Sequence, residues 1–216
     1  RNKGIKRIRY TTSHPNNFDE QIFLAYKKIP QLVSHLHLPI QSGSDRVLSA
    51  MKRGYTVLEY KSVIKKLKKI RPDMTFSSDF IVGFPGETEE DFNKTIELIK
   101  DIEFEQSYSF IYSKRPGTPA ASLEDNTSYA EKKDRLSYLQ ETINKLSKSR
   151  AKTVVGKKVE ILVEGVSSKY SNMVNGRTTN NKIITVPGDK DLVGRLLDVK
   201  VTELKNKSLK GKILAA

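Results

Sequence analysis

The stretch that decides the fold is Met74 to Asp91, MTFSSDFIVGFPGETEED, which reads as a buried strand, a glycine-proline elbow and an acidic helix start in direct succession. Phe76, Phe80, Ile81 and Val82 are aromatic or β-branched and suit a strand. Gly83-Phe84-Pro85-Gly86 can continue neither a strand nor a helix. Thr88 is placed to cap a helix whose first turn carries Glu89, Glu90 and Asp91, where negative charge favours the helix dipole. An ordinary strand-to-helix connection has the same spacing, so the rest of the chain has to say whether a site lies here.

Working outward, short apolar alternations take turns with helical patterns, the order expected of βαβ units on a parallel sheet. Four units can be counted. The first is a strand around Ile5 to Thr12 and a helix with Phe18, Ile22, Ala25, Tyr26 and Ile29 on one face. The second strand runs about Ser34 to Gln41, with Asp45 opening a short helix and a lysine-rich helix following, whose apolar side is Tyr60, Val63, Ile64, Leu67 and Ile70. The third is the stretch quoted above, with Phe92, Ile96, Ile99 and Ile102 on its helix. The fourth, Tyr108 to Tyr112, runs into Ser113-Lys114-Arg115-Pro116-Gly117-Thr118-Pro119, and Leu136, Leu139, Ile143 and Leu146 mark the last helix.

After about Thr153 the pattern changes to glycine-punctuated strands with no room for helices. Val159 to Val163, Met173 to Arg177, Ile183 to Val186, Leu196 to Val201 and Leu209 to Leu214 predict a small antiparallel barrel of the oligonucleotide-binding sort. The expected organisation is therefore an α/β part over 1–152 and an all-β module over 153–216.

Composition narrows the partners. The 216 residues are 37% hydrophobic with no apolar run near the length of a membrane span, and no apolar leader follows Arg1. A soluble, cytoplasmic protein without a membrane partner is expected. The chain starts without methionine, which suggests a piece of a longer protein. Lys plus Arg number 39 against 25 Asp plus Glu, a formal charge of +14 that points toward a polyanion. Residues 154–216 alone hold 12 Lys plus Arg and 6 Asp plus Glu, which is read as a phosphate track in preference to a merely solvated basic surface. Cysteine is absent, which excludes disulfides, thiolate zinc sites and a cysteine nucleophile within these residues.

Side-chain alternation says which residues could do chemistry. Ser77, Asp79, Ile81 and Gly83 share one face of the third strand, and His35, His37 and Gln41 share one face of the second. Parallel barrels bind ligands at the carboxyl ends of their strands, so Gln41, Ser42, Asp79, Gly83, Ser113 and Arg115 are expected near one rim. His35 and His37 lack a third ligand at metal-binding spacing and are read as hydrogen-bonded lumen residues. Ser42 has no paired base in the sequence and is read as a polar contact.

Four phrases carry a resemblance: TTSHP at Thr11 to Pro15, HLHLPIQSGSDRVLSAMKRGYT at His35 to Thr56, SSDFIVGFPGETEEDF at Ser77 to Phe92, and YSKRPGTPAA at Tyr112 to Ala121. Together, and in this order, they resemble the radical S-adenosylmethionine methylthiotransferases. The resemblance covers essentially the whole chain and implies the second half of a radical-SAM (β/α)6 partial barrel followed by a small all-β TRAM barrel that binds RNA. It implies methylthiolation of N(6)-dimethylallyladenosine beside the anticodon in tRNA, with sister enzymes acting on threonylcarbamoyladenosine or on a ribosomal protein.

The cofactors so implied are S-adenosylmethionine and two 4Fe-4S clusters, each held by cysteine thiolates. None is available in this sequence, so the cluster-bearing regions are expected before Arg1, and the piece by itself is expected to be inactive. No catalytic residue and no metal ligand is assigned to it.

By the same resemblance, Gln41, Ser42, Asp79, Ile81, Gly83, Tyr112 and Ser113 would lie against S-adenosylmethionine. The superfamily pattern GxIxGxxE is half present, with Asp79 at the first glycine and Gly86 at the glutamate, so apolar contact is expected there more than hydrogen bonding. Arg115, Lys157, Lys158 and Arg177 are the expected RNA contacts. The expected partners are a tRNA anticodon stem-loop and an electron donor for cluster reduction, with the protein acting as a monomer.

Two other classes fit parts of the sequence. A phosphate-binding barrel enzyme would use Gly83 to Gly86 as an anion loop but has no use for the basic β-module. A non-catalytic RNA-binding adaptor would explain the charge and leave the polar rim without a task.

Overall fold

The computed structural model describes residues 4–12, 14–205 and 208–214. The chain divides into two compact units, 1–147 and 148–216.

In the first unit, helix α1 (Glu20–Lys28) precedes strand β1 (His35–His37), and α2 (Asp45–Ala50) and α3 (Val57–Ile70) follow it. Strand β2 (Thr75–Val82) leads through the elbow into α4 (Glu89–Ile102), and β3 (Gln106–Ile111) leads to the long α5 (Tyr129–Lys152). The three strands form one parallel sheet in the order β1-β2-β3. Each helix start has a residue for its orphan N–H groups. Thr56 with Glu59, and Thr88 with Asp91, form reciprocal capping boxes, and Ser44 caps α2.

The alternation read along β2 decides which face is core. Phe76, Phe80 and Val82 are fully buried and pack with Tyr60, Ile64 and Leu67 of α3, Ile96 and Ile99 of α4, and Leu139 and Ile143 of α5. Burying each such side chain contributes roughly 1.5–3 kcal/mol, so this face fixes the register of the sheet. Ser77, Asp79 and Ile81 point the other way.

Two strand boundaries differ from the sequence reading. The segment Ile5 to Thr12 is not a strand; it meets its neighbours through isolated bridges, Ile8 with Leu32 and Thr11 with His37. The second strand stops at His37 instead of running to Gln41, because Pro39 has no N–H to give the ladder. Side chains then serve the backbone groups left over. The Ile40 N–H donates to Ser78 Oγ at 3.0 Å, Tyr60 donates its hydroxyl to the Leu38 carbonyl at 2.8 Å, and Tyr55 donates to the Ile40 carbonyl at 2.9 Å. Burial pushes the hydroxyl pKa of Tyr60 far above its ordinary value, which keeps it a donor.

The second unit is a closed barrel in the order β4-β5-β6-β8-β7, made of β4 (Lys158–Val166), β5 (Met173–Arg177), β6 (Ile183–Pro187), β7 (Leu196–Lys205) and β8 (Ser208–Ile213). All five expected strands are present. The barrel is not wholly antiparallel, however, since β6 and β8 pair in parallel, and that pairing lets five strands close without a free edge. Ile161, Val163, Val174, Ile184, Val186, Val199, Val201 and Leu209 fill it. Gly176 makes room, because a Cβ there would stand 2.5 Å from Cδ1 of Ile161.

Candidate functional site

The face of the sheet turned away from the helices is where the first unit leaves chemistry exposed. Along β2 and β3 the register sets Asp79 beside Tyr108 and Ile81 beside Phe110. His37 lies beside Ser77. His37 Nδ1 is 2.9 Å from Ser77 Oγ, and Nε2 is 3.4 Å from an Asp79 carboxylate oxygen, so both ring nitrogens are engaged within the sheet. The Tyr108 ring meets His37 edge-on, with centroids 6.1 Å apart. Tyr108 and Phe110 are 55% and 56% exposed, while Ser107, Ser109 and Ile111 on the other side of β3 are half-buried, and two neighbouring aromatics left so open are unusual. Their rings offer planar apolar surface next to a polar His–Ser–Asp row. Sequence reasoning missed both residues, although their alternation with Ser107 and Ser109 carried the signal.

The rim at the strand ends is built by backbone geometry. Gln41 takes φ +82°, the left-handed region that few residues with a Cβ adopt. In that conformation its N–H donates to the Asp79 carbonyl at 2.9 Å and its carbonyl accepts from Ile81 N–H at 3.0 Å. On the other side the Tyr112 N–H donates to Val82 at 2.9 Å. Gln41, Ile81, Gly83 and Tyr112 are thereby gathered at one edge. Tyr112 packs edge-on against Phe84, and its buried hydroxyl has no hydrogen-bond partner.

Ser42 does not join them. It is buried with its hydroxyl turned to Thr95 Oγ1 at 3.4 Å and accepting the Ser44 N–H at 3.2 Å, so it holds the loop to α4. The neighbouring Gly43 donates its N–H to Thr95 Oγ1 at 2.9 Å, and a Cβ on it would stand 2.5 Å from the Lys94 carbonyl oxygen. Ser113 and Arg115 lie on the exposed segment after β3. The Arg115 carbonyl is tied into a turn by Thr118, and its side chain is free to reach outward.

The elbow at Gly83 is held from beneath by charge. The Glu87 carboxylate accepts the Gly83 N–H, so that amide is not offered to a ligand. Arg135 of α5 stands 3.6 Å from the same carboxylate and donates to the Glu87 carbonyl at 3.1 Å. The stem of Lys132 crosses Gly83 so closely that a Cβ there would meet Lys132 Cγ at 2.4 Å. Burial pushes the Glu87 carboxyl above its usual range, against the pull of the Gly83 N–H and Arg135. Asp91 behaves oppositely. Burial works upward on it, but hydrogen bonds from Arg46, Ser44 and Thr88 outweigh that and hold it well below the ordinary carboxylate range.

On the barrel, Lys157 is exposed, Lys158 pairs with Asp198 at 2.9 Å, and Arg177 is engaged by Glu164 at 2.9 Å and by Asn181 at 3.1 Å. The β4–β5 register shifts between Val163 and Gly165, and Glu164 lies within that shift, where it meets Arg177. Among the described residues no three His, Asp or Glu side chains converge on a point that could hold a metal, and the chain has no cysteine.

Comparison with known proteins agrees with this arrangement. Residues 1–99 match the Radical SAM superfamily and residues 152–214 match the TRAM domain. Nearly the whole chain also aligns with curated proteins. It is 56% identical over 211 residues to the tRNA-2-methylthio-N(6)-dimethylallyladenosine synthase of Francisella philomiragia and 54% identical to that of Francisella tularensis subsp. novicida. In each case 98% of this chain aligns with 48% of the relative, so the chain spans about half the length of the curated relatives it matches. Among solved structures, the coproporphyrinogen III oxidase HemN of Escherichia coli, a radical SAM enzyme, matches at TM-score 0.53 and 14% identity, covering 80% of this chain and 46% of that one. Elp3 of Methanocaldococcus infernus matches at TM-score 0.50 and 12% identity, covering 93% and 59%. At such identity these two bear on the fold alone.

Proposed function

We propose that this chain is the base-receiving and RNA-gripping part of a methylthiotransferase that modifies N(6)-dimethylallyladenosine beside the anticodon of tRNA, with 1–152 serving as the barrel portion and 153–216 as the RNA-binding portion. The observation that carries the reading is the pair of exposed aromatics, Tyr108 and Phe110, beside the His37–Asp79 pair, on the face of the sheet opposite the buried Phe76, Phe80 and Val82 of β2. An anticodon loop is single-stranded, and its unstacked bases are read by stacking and by edge hydrogen bonds.

S-adenosylmethionine fits the rim. Ile81 and Tyr112 would pack against its adenine, the Gln41 side chain would take polar groups, and Asp79 and Ser113 would flank the same edge. Gly83 would contribute surface only, since Glu87 takes its N–H. Ser42 would act by holding the Gln41 loop in place. When bound, the cofactor with its iron–sulfur clusters supplies radical chemistry and sulfur. No cluster ligand comes from these residues, so the piece alone is expected to show no turnover. Reduction would need an electron donor, and the protein would work as a monomer in the cytoplasm, where its substrate is.

Lys157, Lys158 and Arg177 of the barrel, with Arg115 near the rim, would meet phosphates. A sister activity on threonylcarbamoyladenosine would use the same surfaces. Equilibrium binding of S-adenosylmethionine by the chain, measured calorimetrically for wild type and for Tyr112→Phe with Ile81→Ala, tests the rim. Weakened binding supports the reading; equal affinity would remove the cofactor from that edge.

A further inference from the structure

We propose that the cleft between α3 and α4, on the helical side of the first unit, is a second contact for the phosphodiester backbone of RNA. The inference rests on the RNA reading above, and it concerns a surface distinct from both the sheet face and the barrel. The cleft has a volume of about 470 Å³, a floor of Ile64 and Ile102, and a rim of lysines from α3.

Those lysines are arranged in a row. Lys61, Lys65 and Lys69 recur every four residues, so they stand about 6 Å apart along the helix, close to the step between successive phosphates of one RNA strand. Their partners are unequal. Lys61 is paired with Asp101 at 2.6 Å, and Lys68 reaches the Ile102 carbonyl at 3.5 Å, so these two serve the carboxyl end of α4. Lys65 and Lys69 are exposed and have no hydrogen-bond or ion-pair partner among the described residues.

The acid content of α3 sharpens the argument. Glu59, the helix's one acidic residue, is taken up by the capping box at Thr56. Like charges four residues apart repel, and nothing on this helix answers Lys65 or Lys69. A bound polyanion would relieve that repulsion. A phosphate strand fits better than an acidic peptide, because the cleft lies between two helices and presents no unpaired strand edge to which a peptide backbone could add. Lysine heads are point charges, suited to phosphates met along a backbone without base readout.

The test is fluorescence anisotropy with an RNA stem-loop over a salt series, using the full chain, Lys65→Gln with Lys69→Gln, the charge reversal Lys65→Glu with Lys69→Glu, and Lys157→Gln as a barrel control. Far-UV circular dichroism confirms that α3 is intact, and the milder glutamine pair keeps the test valid if reversal perturbs folding. The glutamine pair should bind about tenfold more weakly at low salt, and its log–log salt slope should fall by roughly 1.4–1.8, the loss of two phosphate contacts. If the glutamine pair binds with unchanged affinity and slope while Lys157→Gln weakens binding, this cleft is not an RNA contact and the RNA reading stands. If wild type shows no salt-dependent RNA binding, the RNA reading falls, and this inference with it. Equal loss of binding to polyglutamate and to RNA would assign the row to acidic polypeptides and overturn the RNA assignment.

Discussion

Glu87 and Arg135 face each other across 3.6 Å with both side chains almost fully buried, and the backbone amide they steady is that of Gly83 at the end of β2. A buried ion pair of this kind does little for net stability against an apolar substitute, yet removing one partner strands the other. Arg135→Met should therefore destabilise the first unit by about 3–5 kcal/mol. Chemical denaturation measures it, and a loss below the scatter of surface substitutions would mean that the pair does not hold the elbow.

The raised pKa of Glu87 has a definite sign. A carboxyl whose folded pKa lies above its unfolded value of 4.5 adds stability that is complete below that value and is lost as pH rises through the folded pKa. Glu87→Gln removes this dependence. Its stability relative to wild type should improve as pH is raised from 4 toward neutrality, followed by melts across that range.

Asp91 predicts the reverse. Its depressed pKa gives stability that is present above 3.8 and is lost as pH falls through the lower folded value. Asp91→Asn should cost on the order of 1–3 kcal/mol at neutral pH, because it unmakes the α4 capping box and leaves Ser44 and Arg46 with a poorer acceptor. The gap to wild type should close in strong acid. A gap independent of pH would contradict the assignment.

Gly43→Ala tests how tightly the Gln41 loop is set on α4. The atoms a Cβ would strike belong to the backbone at Lys94 and Thr95 and cannot swing aside. The variant should lose stability by about 1–3 kcal/mol and weaken S-adenosylmethionine binding through displacement of Gln41. Normal melting and normal binding together would show that the loop is not held there.

Much of this was legible in the residues. The elbow at Gly83, the cap at Thr88 and the buried face of β2 follow from local chemistry: which residues lack an N–H, which carry a short oxygen, which alternate. The five barrel strands were legible because each is bounded by turn residues. The unread parts all depend on distant partners. Pro39 hinted that β1 would stop early, but Ser78, Tyr55 and Tyr60 serve the freed groups from elsewhere in the chain. Closure through the parallel β6–β8 pair cannot be read from strand spacing. Arg177 reads as a free cation until the irregular register at Glu164 supplies its carboxylate, and Ser42 reads as a rim residue until Thr95 of α4 draws it inward.

The central claim is that the aromatic face of the sheet receives the modified base, and one comparison tests it directly. Binding of an anticodon stem-loop carrying N(6)-dimethylallyladenosine is measured against the same RNA with its loop deleted, for wild type and for Tyr108→Ala with Phe110→Ala. Both side chains are exposed, so the fold should survive within about 0.5 kcal/mol, and each lost stacking contact should cost about 1–3 kcal/mol of loop-dependent affinity. Loss of the preference for the loop with stem binding intact is the predicted result. A preference that persists unchanged without the two rings would contradict the account.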